Sequence, residues 1–441
     1  GSLHENVWRA DGMYGAAIRQ IVQMLSQAIP YAENERQQSV IRKLIEFYET
    51  GNLAVFDAYT ILWVEETEGE VDFTNGFTEV YGDPLGLKAS WEGYVNYTDH
   101  QATRRAQALS RNAQWFEDHS PVDARFKKPL CRGVSAKVIN AAILGGDLYP
   151  SSAIGINLPN SNWVRAEHGS KSVTIANLTH AYDEAARGNG FRNEFADSTQ
   201  TVSLMDRYGS VCDDLHTDLH ECLGHGSGRL LPGVDPDALK AYGSTIEEAR
   251  ADLFGLYYLV DEKLVELGLT PCQEAYKAQY YSYMMNGLLT QMVRIQPGHQ
   301  IEEAHMRNRA LIARWTLEHY PQAVRLSEQD GKHYVEILDY PLLRTAFGNL
   351  LAEIQRIKSE GDLQAARQMV ERYGVQIDAK LHLEVLERYS KLNLAPYKGF
   401  INPRYTPVCD SEGRITDVHI DYLETYDEQM LRYSKQYNTL I

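Results

Sequence analysis

Two histidines and a glutamate lie together in the segment H-E-C-L-G-H, at residues 220–225. The imidazoles of His220 and His225 are suitable zinc ligands. Glu221 follows the first histidine directly, and its carboxylate could accept a proton from metal-activated water. These residue types therefore predict hydrolysis at a catalytic zinc ion.

The five-residue separation of the two histidines constrains the backbone between them. Residues i and i+4 of an ideal α-helix lie about 40° apart around its axis, whereas residues i and i+5 lie about 140° apart. Both imidazoles can therefore bind one ion only if the helix widens locally, as in a single π-turn. Gly224 lies where such a distortion costs least.

The same histidines also allow two alternatives to this metal site. The segment could be an ordinary helix that carries two histidines without a metal. His216 also lies four residues before His220, so it offers a competing i, i+4 pair.

A further ligand is expected from E-E-A-R-A-D at residues 247–252, because a catalytic zinc ion commonly has three protein ligands and one open position. Ser244 and Glu247 have the spacing of a capping box, so Glu247 could simply cap a helix. Glu248 has no such structural role and is the predicted metal ligand. Glu247 or Asp252 is then predicted to hold a ligand imidazole by its second nitrogen.

The two segments together resemble those of the dipeptidyl peptidase III family, zinc exopeptidases that release dipeptides from the N-termini of short peptides. Three further segments are similar to motifs of this family: N-G-F-T-E-V-Y-G-D-P at 75–84, G-I-N-L-P-N at 155–160 and H-M-R-N-R at 305–309. The resemblance implies one Zn²⁺ ion as cofactor, with His220, His225 and Glu248 as ligands and Glu221 as general base.

The resemblance also implies roles for residues that their local patterns would not single out. Tyr81 would hydrogen-bond the substrate near the scissile carbonyl, and His305 would stabilise the oxyanion that forms there. The apolar strand expected at 153–158 could pair its backbone with an extended peptide. The implied substrate-binding residues, which would hold the free amine or the peptide backbone, are Glu79, Asn157, Asn160 and Arg309.

Composition narrows the range of partners. The chain has 441 residues, of which 44% are hydrophobic and 23% charged, as in ordinary globular proteins. A net charge of −17 argues against nucleic acid and against a basic membrane-binding surface. The five cysteines show no C-x-x-C spacing, which favours a reducing compartment. Composition therefore favours a cytoplasmic protein without nucleic acid or membrane as partners. The family resemblance implies short peptides as partners, and we expect a monomer.

The predicted fold class is α+β and predominantly α, with a mostly helical zinc-binding lobe packed against a smaller β-containing lobe and a cleft between them. Apolar periodicity predicts helices through most of 211–392, whereas strands are expected at 71–81, 89–94, 398–407 and 414–420. The predicted segments are 1–97 in the lower lobe, 98–150 in the upper lobe, 151–195 in the lower lobe, 196–400 in the catalytic upper lobe, and 401–441 in the lower lobe.

The chain does not begin with methionine, and nothing in it corresponds to the large N-terminal part that the family resemblance implies. A truncated chain is therefore expected. Two alternatives to dipeptide release stay open: a zinc hydrolase or aminopeptidase of other specificity, and an inactive zinc-binding fragment.

Overall fold

The computed structural model describes residues 7–77, 90–131, 137–150, 152, 154–159, 161–169, 171–394 and 399–438. The chain forms two compact units. The first unit comprises Gly1–His100, Lys137–Tyr182 and Tyr397–Ile441, and the second comprises Gln101–Ala136 and Asp183–Pro396.

Most of the regular structure is helical. Within the described residues the α-helices are α1 (Gly15–Ala28), α2 (Glu35–Thr50), α3 (Leu53–Glu65), α4 (His100–Arg111), α5 (Ala113–His119), α6 (Asn162–His168), α7 (Ala176–Ala186), α8 (Phe191–Phe195), α9 (Thr199–Leu219), α10 (Gly243–Tyr258), α11 (Glu262–Glu266), α12 (Tyr276–Leu288), α13 (Ala304–His319), α14 (Tyr340–Glu360), α15 (Leu363–Val370), α16 (Ala379–Lys391) and α17 (Tyr426–Tyr437). Two π-helical turns follow α9 and α15, at His220–Gly224 and Glu371–Val375. Short 3₁₀ turns lie at Ile29–Tyr31, Ala124–Phe126, Lys240–Tyr242 and Thr290–Arg294.

The strands are few and short. They are β1 (Val71–Gly76), β2 (Glu92–Thr98), β3 (Lys137–Gly146), β4 (Gly155–Leu158), β5 (Lys171–Ile175), β6 (Val324–Gln329), β7 (Lys332–Ile337), β8 (Arg404–Cys409) and β9 (Ile415–Asp421). The predicted α+β, predominantly α fold class is confirmed. Among the described residues, no helix is both long and apolar enough to span a bilayer.

The first unit combines a helical layer with a mixed sheet. The strand order is β1-β2-β3-β5-β4, in which β3 and β5 run parallel and the other neighbours run antiparallel. Apolar residues at helical spacing in α1 and α2, such as Ile18, Val40 and Leu44, form one buried cluster with Trp63 of α3. β4 lies at an edge of the sheet, so one side of its backbone has no strand neighbour among the described residues.

The second unit contains α9, α10, α12, α13 and α14, which bury a large apolar core. Its fully buried side chains include Leu219, Leu256, Met284, Leu311 and Phe347. α12 and α13 approach closely at Gly287, where an added Cβ would lie 2.5 Å from the carbonyl oxygen of Arg309. A side chain at this position would separate the two helices.

The predicted helices leave 320–339 unassigned, and there β6 and β7 form an antiparallel hairpin that the sequence interpretation misses. Asp330 and Gly331 form its turn, and both have positive φ. An Asp-Gly pair between apolar segments is a strong hairpin signal, because a two-residue turn of this type requires positive φ at both positions. The predicted strands also do not include β3 and β5.

The chain passes from one unit to the other at positions that differ from the predicted segment boundaries. β3 belongs to the first unit, whereas the sequence interpretation places residues 98–150 in the upper lobe. The strands predicted at 398–407 and 414–420 are confirmed with shifted bounds as β8 (Arg404–Cys409) and β9 (Ile415–Asp421). The other segment boundaries stay a prediction.

Candidate metal centre

The two histidines lie at the ends of a π-helical turn that continues α9. The turn spans His220–Gly224, and the amide of His225 donates to the carbonyl oxygen of His220 at 3.0 Å, which is an i+5 to i hydrogen bond. The two ring centroids are 4.7 Å apart. The widened turn that the spacing predicts is therefore confirmed.

Gly224 has a second role that the spacing alone does not indicate. A Cβ at Gly224 would lie 2.8 Å from the Cα of Ala251 and 2.9 Å from its carbonyl oxygen. Both are backbone atoms of α10 and cannot rotate away. The glycine therefore lets the helix that carries Glu247, Glu248 and Asp252 lie directly against the π-turn.

We expect Gly224→Ala to destabilise the protein by about 1–3 kcal/mol, because the added methyl group must push α10 away from the π-turn. Gly209→Ala is the matched control on α9, since its Cβ would meet only a guanidinium nitrogen of Arg192 at 4.0 Å. Removing a glycine from a helix interior should stabilise by about 0.5–1 kcal/mol. Thermal unfolding of both variants checks this, and equal effects would contradict it.

One carboxylate oxygen of Glu248 lies close to both imidazoles. Its Oε2 lies 3.3 Å from Nε2 of His220 and 3.9 Å from Nε2 of His225. The three side chains offer ligand atoms that lie within 4.8 Å of one another, and they form the one such group of His, Cys, Asp or Glu among the described residues.

A zinc ion fits this donor set. Two ligands of a tetrahedral zinc ion lie about 3.3 Å apart, given bonds of about 2.0–2.1 Å. The buried Oε2 of Glu248 accepts no hydrogen bond, which is costly for a carboxylate oxygen unless a cation balances it. Two imidazoles and one carboxylate are also a common ligand set of catalytic zinc.

A second carboxylate holds the other nitrogen of each imidazole. Nδ1 of His220 lies 2.7 Å from Oδ1 of Asp252, and Nδ1 of His225 lies 2.7 Å from Oε1 of Glu247. These contacts assign the proton to Nδ1 in each ring and leave Nε2 for a metal. The sequence interpretation leaves open which acid has this role, and in the structure both acids make such a contact.

The capping-box alternative for Glu247 is wrong. α10 begins at Gly243, and Tyr242 precedes it without a side-chain cap. The carboxylate of Glu247 is instead bound by buried Arg250, whose Nη2 donates to Oε1 at 2.6 Å and whose Nε donates to Oε2 at 3.1 Å. Lys358 donates to the same carboxylate.

Arg250 is a residue that the sequence interpretation misses, although it lies within the E-E-A-R-A-D motif. It is fully buried, and it also donates to the carbonyl oxygens of His225 and Ser227 at 3.3 and 3.0 Å. One guanidinium thus fixes both Glu247 and the backbone after the π-turn. The i, i+3 spacing of Glu247 and Arg250 on one helix face is the signal that could have found it.

The electrostatics of the centre follow from burial and close pairing. Burial alone would raise the pKa of Glu248 and of Asp252, but the neighbouring His220 outweighs it and lowers both pKa values. Burial alone would lower the pKa of His220, yet the nearby carboxylates of Asp252 and Glu248 raise that pKa to about 10. Without an ion, the two carboxylates therefore favour the doubly protonated ring, and a metal must displace the proton on Nε2.

His216 does not form the competing pair with His220. It is buried, its Nε2 lies 3.1 Å from the carbonyl oxygen of Asp252, and Nε2 of Gln279 lies 3.2 Å from its Nδ1. Both ring nitrogens are occupied in hydrogen bonds between helices. The i, i+4 alternative is therefore wrong for the geometry of this centre.

Three other predicted residues lie in or near the same group. Glu221 is exposed at the second position of the π-turn. His305, at the start of α13, has its Nε2 3.5 Å from Oε2 of Glu248 and its Nδ1 2.6 Å from Glu303. Arg309 is half-buried one turn later in α13, and its positive charge contributes to lowering the pKa of Asp252.

The remaining predicted residues are not tested by the structure. Glu79, Tyr81 and Asn160 lie outside the described residues. Asn157 lies in β4, where its backbone pairs with Ser172 of β5, but its side chain is not described. Their substrate-binding and catalytic roles stay predictions.

Comparison with known proteins identifies a family for this chain. Residues 3–239 and 235–388 match peptidase family M49. Dipeptidyl peptidase 3 of Dictyostelium discoideum is 27% identical over 311 residues, which are 62% of this chain and 43% of that protein. Dipeptidyl peptidase 3 of Rattus norvegicus is 24% identical over 418 residues, which are 85% of this chain and 55% of that protein.

The chain thus spans about half the length of the curated relatives that it matches. Among solved structures, that of DPP III from Caldithrix abyssi has a TM-score of 0.69 and 21% sequence identity. The match covers 85% of this chain and 68% of that one. The two proteins share a fold over this region.

Proposed function

We propose, because this chain belongs to peptidase family M49, that it is a zinc exopeptidase that releases dipeptides from the N-termini of short peptides. One observation carries the proposal. The π-turn and α10 bring His220, His225 and Glu248 together, and each imidazole is held by a carboxylate at its far nitrogen. A purely structural helix would not need this arrangement.

His220, His225 and Glu248 would hold the zinc ion, and Asp252 and Glu247 would orient the two imidazoles. A zinc ion bound there would supply Lewis acidity toward water and a peptide carbonyl. Glu221 is exposed beside the first ligand, so it can exchange protons with incoming groups. In the proposed reaction it accepts a proton from the attacking water and passes it to the leaving amine.

Negative charge develops on the oxygen of the scissile carbonyl during the proposed reaction. Hydrogen-bond donors near Glu248 are needed to stabilise it. We assign this role to His305; its Nε2 lies 3.5 Å from Oε2 of Glu248, and Glu303 holds its Nδ1, which supports the assignment. Tyr81 is the second proposed donor. Preorganised donors of this kind typically contribute a factor of about 10²–10³ each.

Release of a dipeptide requires the protein to bind the free α-amine of the substrate two residues before the scissile peptide bond. Glu79, Asn157 and Asn160 are the proposed amine-binding residues, and Arg309 would hold the peptide backbone or its carboxylate. The edge position of β4 supports this assignment, since an extended peptide can pair with an edge strand without side-chain preference. Short peptides as partners, a monomer and a cytoplasmic location complete the proposal.

The test is cleavage of a defined pentapeptide by the zinc-loaded protein, with the products identified by mass spectrometry. We expect release of the N-terminal dipeptide, its loss with a chelator, and no cleavage of the N-acetylated peptide. Release of single residues would instead establish an aminopeptidase. One tightly bound zinc ion without any cleavage would establish an inactive zinc-binding chain, and either result would overturn the proposal.

A further inference from the structure

Both carboxylate oxygens of Asp252 accept hydrogen bonds, and only Oδ1 accepts one from His220. The second oxygen, Oδ2, accepts a hydrogen bond from the hydroxyl of Tyr283 at 2.7 Å and another from Nδ2 of Asn308 at 2.8 Å. Tyr283 is 5% exposed and Asn308 is fully buried. The carboxylate is thus held by α12 and α13 on one side and contacts the α9–π-turn segment on the other.

We propose that Tyr283 and Asn308 are positioning residues for the metal ligand His220, acting through Asp252. The inference rests on the proposed function, since it assumes that His220 binds zinc. It assigns a metal-related role to two side chains that do not approach the ligand atoms themselves.

The physical reason lies in the carboxylate torsion. The last torsion of an aspartate side chain is broad and roughly two-fold, so the side chain alone does not fix the plane of its oxygens. Two donors on Oδ2, from two different helices, fix that plane. Oδ1 is then held where Nδ1 of His220 donates to it at 2.7 Å, and the ring is oriented with Nε2 toward Glu248.

The backbone of Asp252 is held from the same side. Nε2 of His216 donates to its carbonyl oxygen at 3.1 Å, and Gln279 of α12 donates to the other nitrogen of that ring. His216 also packs edge-on against Tyr283, with ring centroids 5.7 Å apart. α12 therefore constrains both the main chain and the side chain of Asp252.

Core packing alone would be the simpler role for Tyr283, because Tyr276 and Tyr280 recur with it at helical spacing on α12. Tyr280 offers a close comparison. It is also buried, and its hydroxyl donates to the carbonyl oxygen of Leu256 on α10 at 2.7 Å. The two tyrosines thus make similar hydrogen bonds from α12 to α10, but only Tyr283 contacts the residue that orients His220.

The experiment compares Tyr283→Phe with Tyr280→Phe in the full chain. Zinc affinity is measured by competition with a chelator of known affinity, and melting of the metal-free protein is measured in parallel. We expect Tyr283→Phe to weaken zinc binding by about 10-fold, as is typical when a group that supports a metal ligand is lost. Tyr280→Phe should lower the melting temperature comparably but leave zinc affinity within about two-fold.

Asn308→Leu replaces the second donor to Asp252 by an apolar side chain of similar size. This variant should also weaken zinc binding by about 10-fold. In an Asp252→Ala background, Tyr283→Phe should cause no further loss of affinity, because the carboxylate through which it acts is gone. The visible spectrum of the cobalt-substituted protein should change in Tyr283→Phe and not in Tyr280→Phe.

Equal zinc affinities for Tyr283→Phe and Tyr280→Phe would overturn the inference, as would an undiminished effect of Tyr283→Phe without Asp252. Failure of the wild-type chain to bind zinc at all would instead overturn the proposed function. The two failures are therefore distinguishable.

Discussion

Glu221→Gln should leave one zinc ion on the chain and slow dipeptide release by about 10³-fold, within the range of about 10²–10⁴ attributed to a positioned acid or base. Zinc should be retained because Glu221 is not among the three residues that offer ligand atoms to one point. Glutamine keeps the size of the side chain, but it is neutral and cannot accept a proton. The measurements are zinc content and the rate of release from a pentapeptide.

The control for this variant is Glu266→Gln, an exposed acid of the second unit that pairs only with Lys263 among the described residues. It should have the wild-type rate, since a surface ion pair contributes little. A wild-type rate in Glu221→Gln would exclude the role proposed for that residue. Loss of zinc together with activity would show that Glu221 acts on the metal rather than on water.

Glu248→Ala should weaken zinc binding by at least about 100-fold, more than the loss of an outer partner, which typically costs 10–100-fold. The variant removes the only carboxylate among the three ligands and the one buried oxygen that faces both imidazoles. Chelator competition measures the affinity. The increase in melting temperature on adding zinc should also vanish, because that increase depends on the ratio of zinc concentration to Kd.

Two comparisons sharpen this second prediction. Glu247→Gln should weaken zinc binding by about 10-fold, since its carboxylate holds the far nitrogen of His225 rather than the ion. Glu353→Ala on α14, paired with Arg356, should leave the affinity unchanged. A larger loss in Glu247→Gln than in Glu248→Ala would reverse the assignment of the two neighbouring acids.

The sequence predicts the structure best where the spacing of residues within one segment allows only one local conformation. Two imidazoles at i and i+5 can meet one ion only through a widened helical turn, and the structure contains that turn at His220–Gly224. The helix predictions depend on the same kind of local information, because apolar periodicity along one segment predicts which face of the helix is buried. The β6–β7 hairpin is missed although its Asp-Gly turn is a readable local signal.

Other features depend on residues that are far apart in the chain. Glu247, Glu248 and Asp252 are all acids of one helix, α10, and spacing alone does not determine which of them approaches which imidazole. Their assignment depends on how closely α10 packs against the π-turn, which the contact of Gly224 with Ala251 allows. Tyr283 and Asn308 reach Asp252 only because α12 and α13 pack beside α10.

By itself, the sequence determined the residue types available for a metal centre, the widened turn that lets two histidines share it, and the predominantly helical class of the fold. These follow from chemistry and periodicity within single segments. Only the tertiary structure decided which acid orients which imidazole, that His216 joins helices instead of competing for the metal, and that two residues on other helices hold Asp252. Hydrogen bonds between segments depend on the separation and rotation of packed helices, which no local pattern specifies.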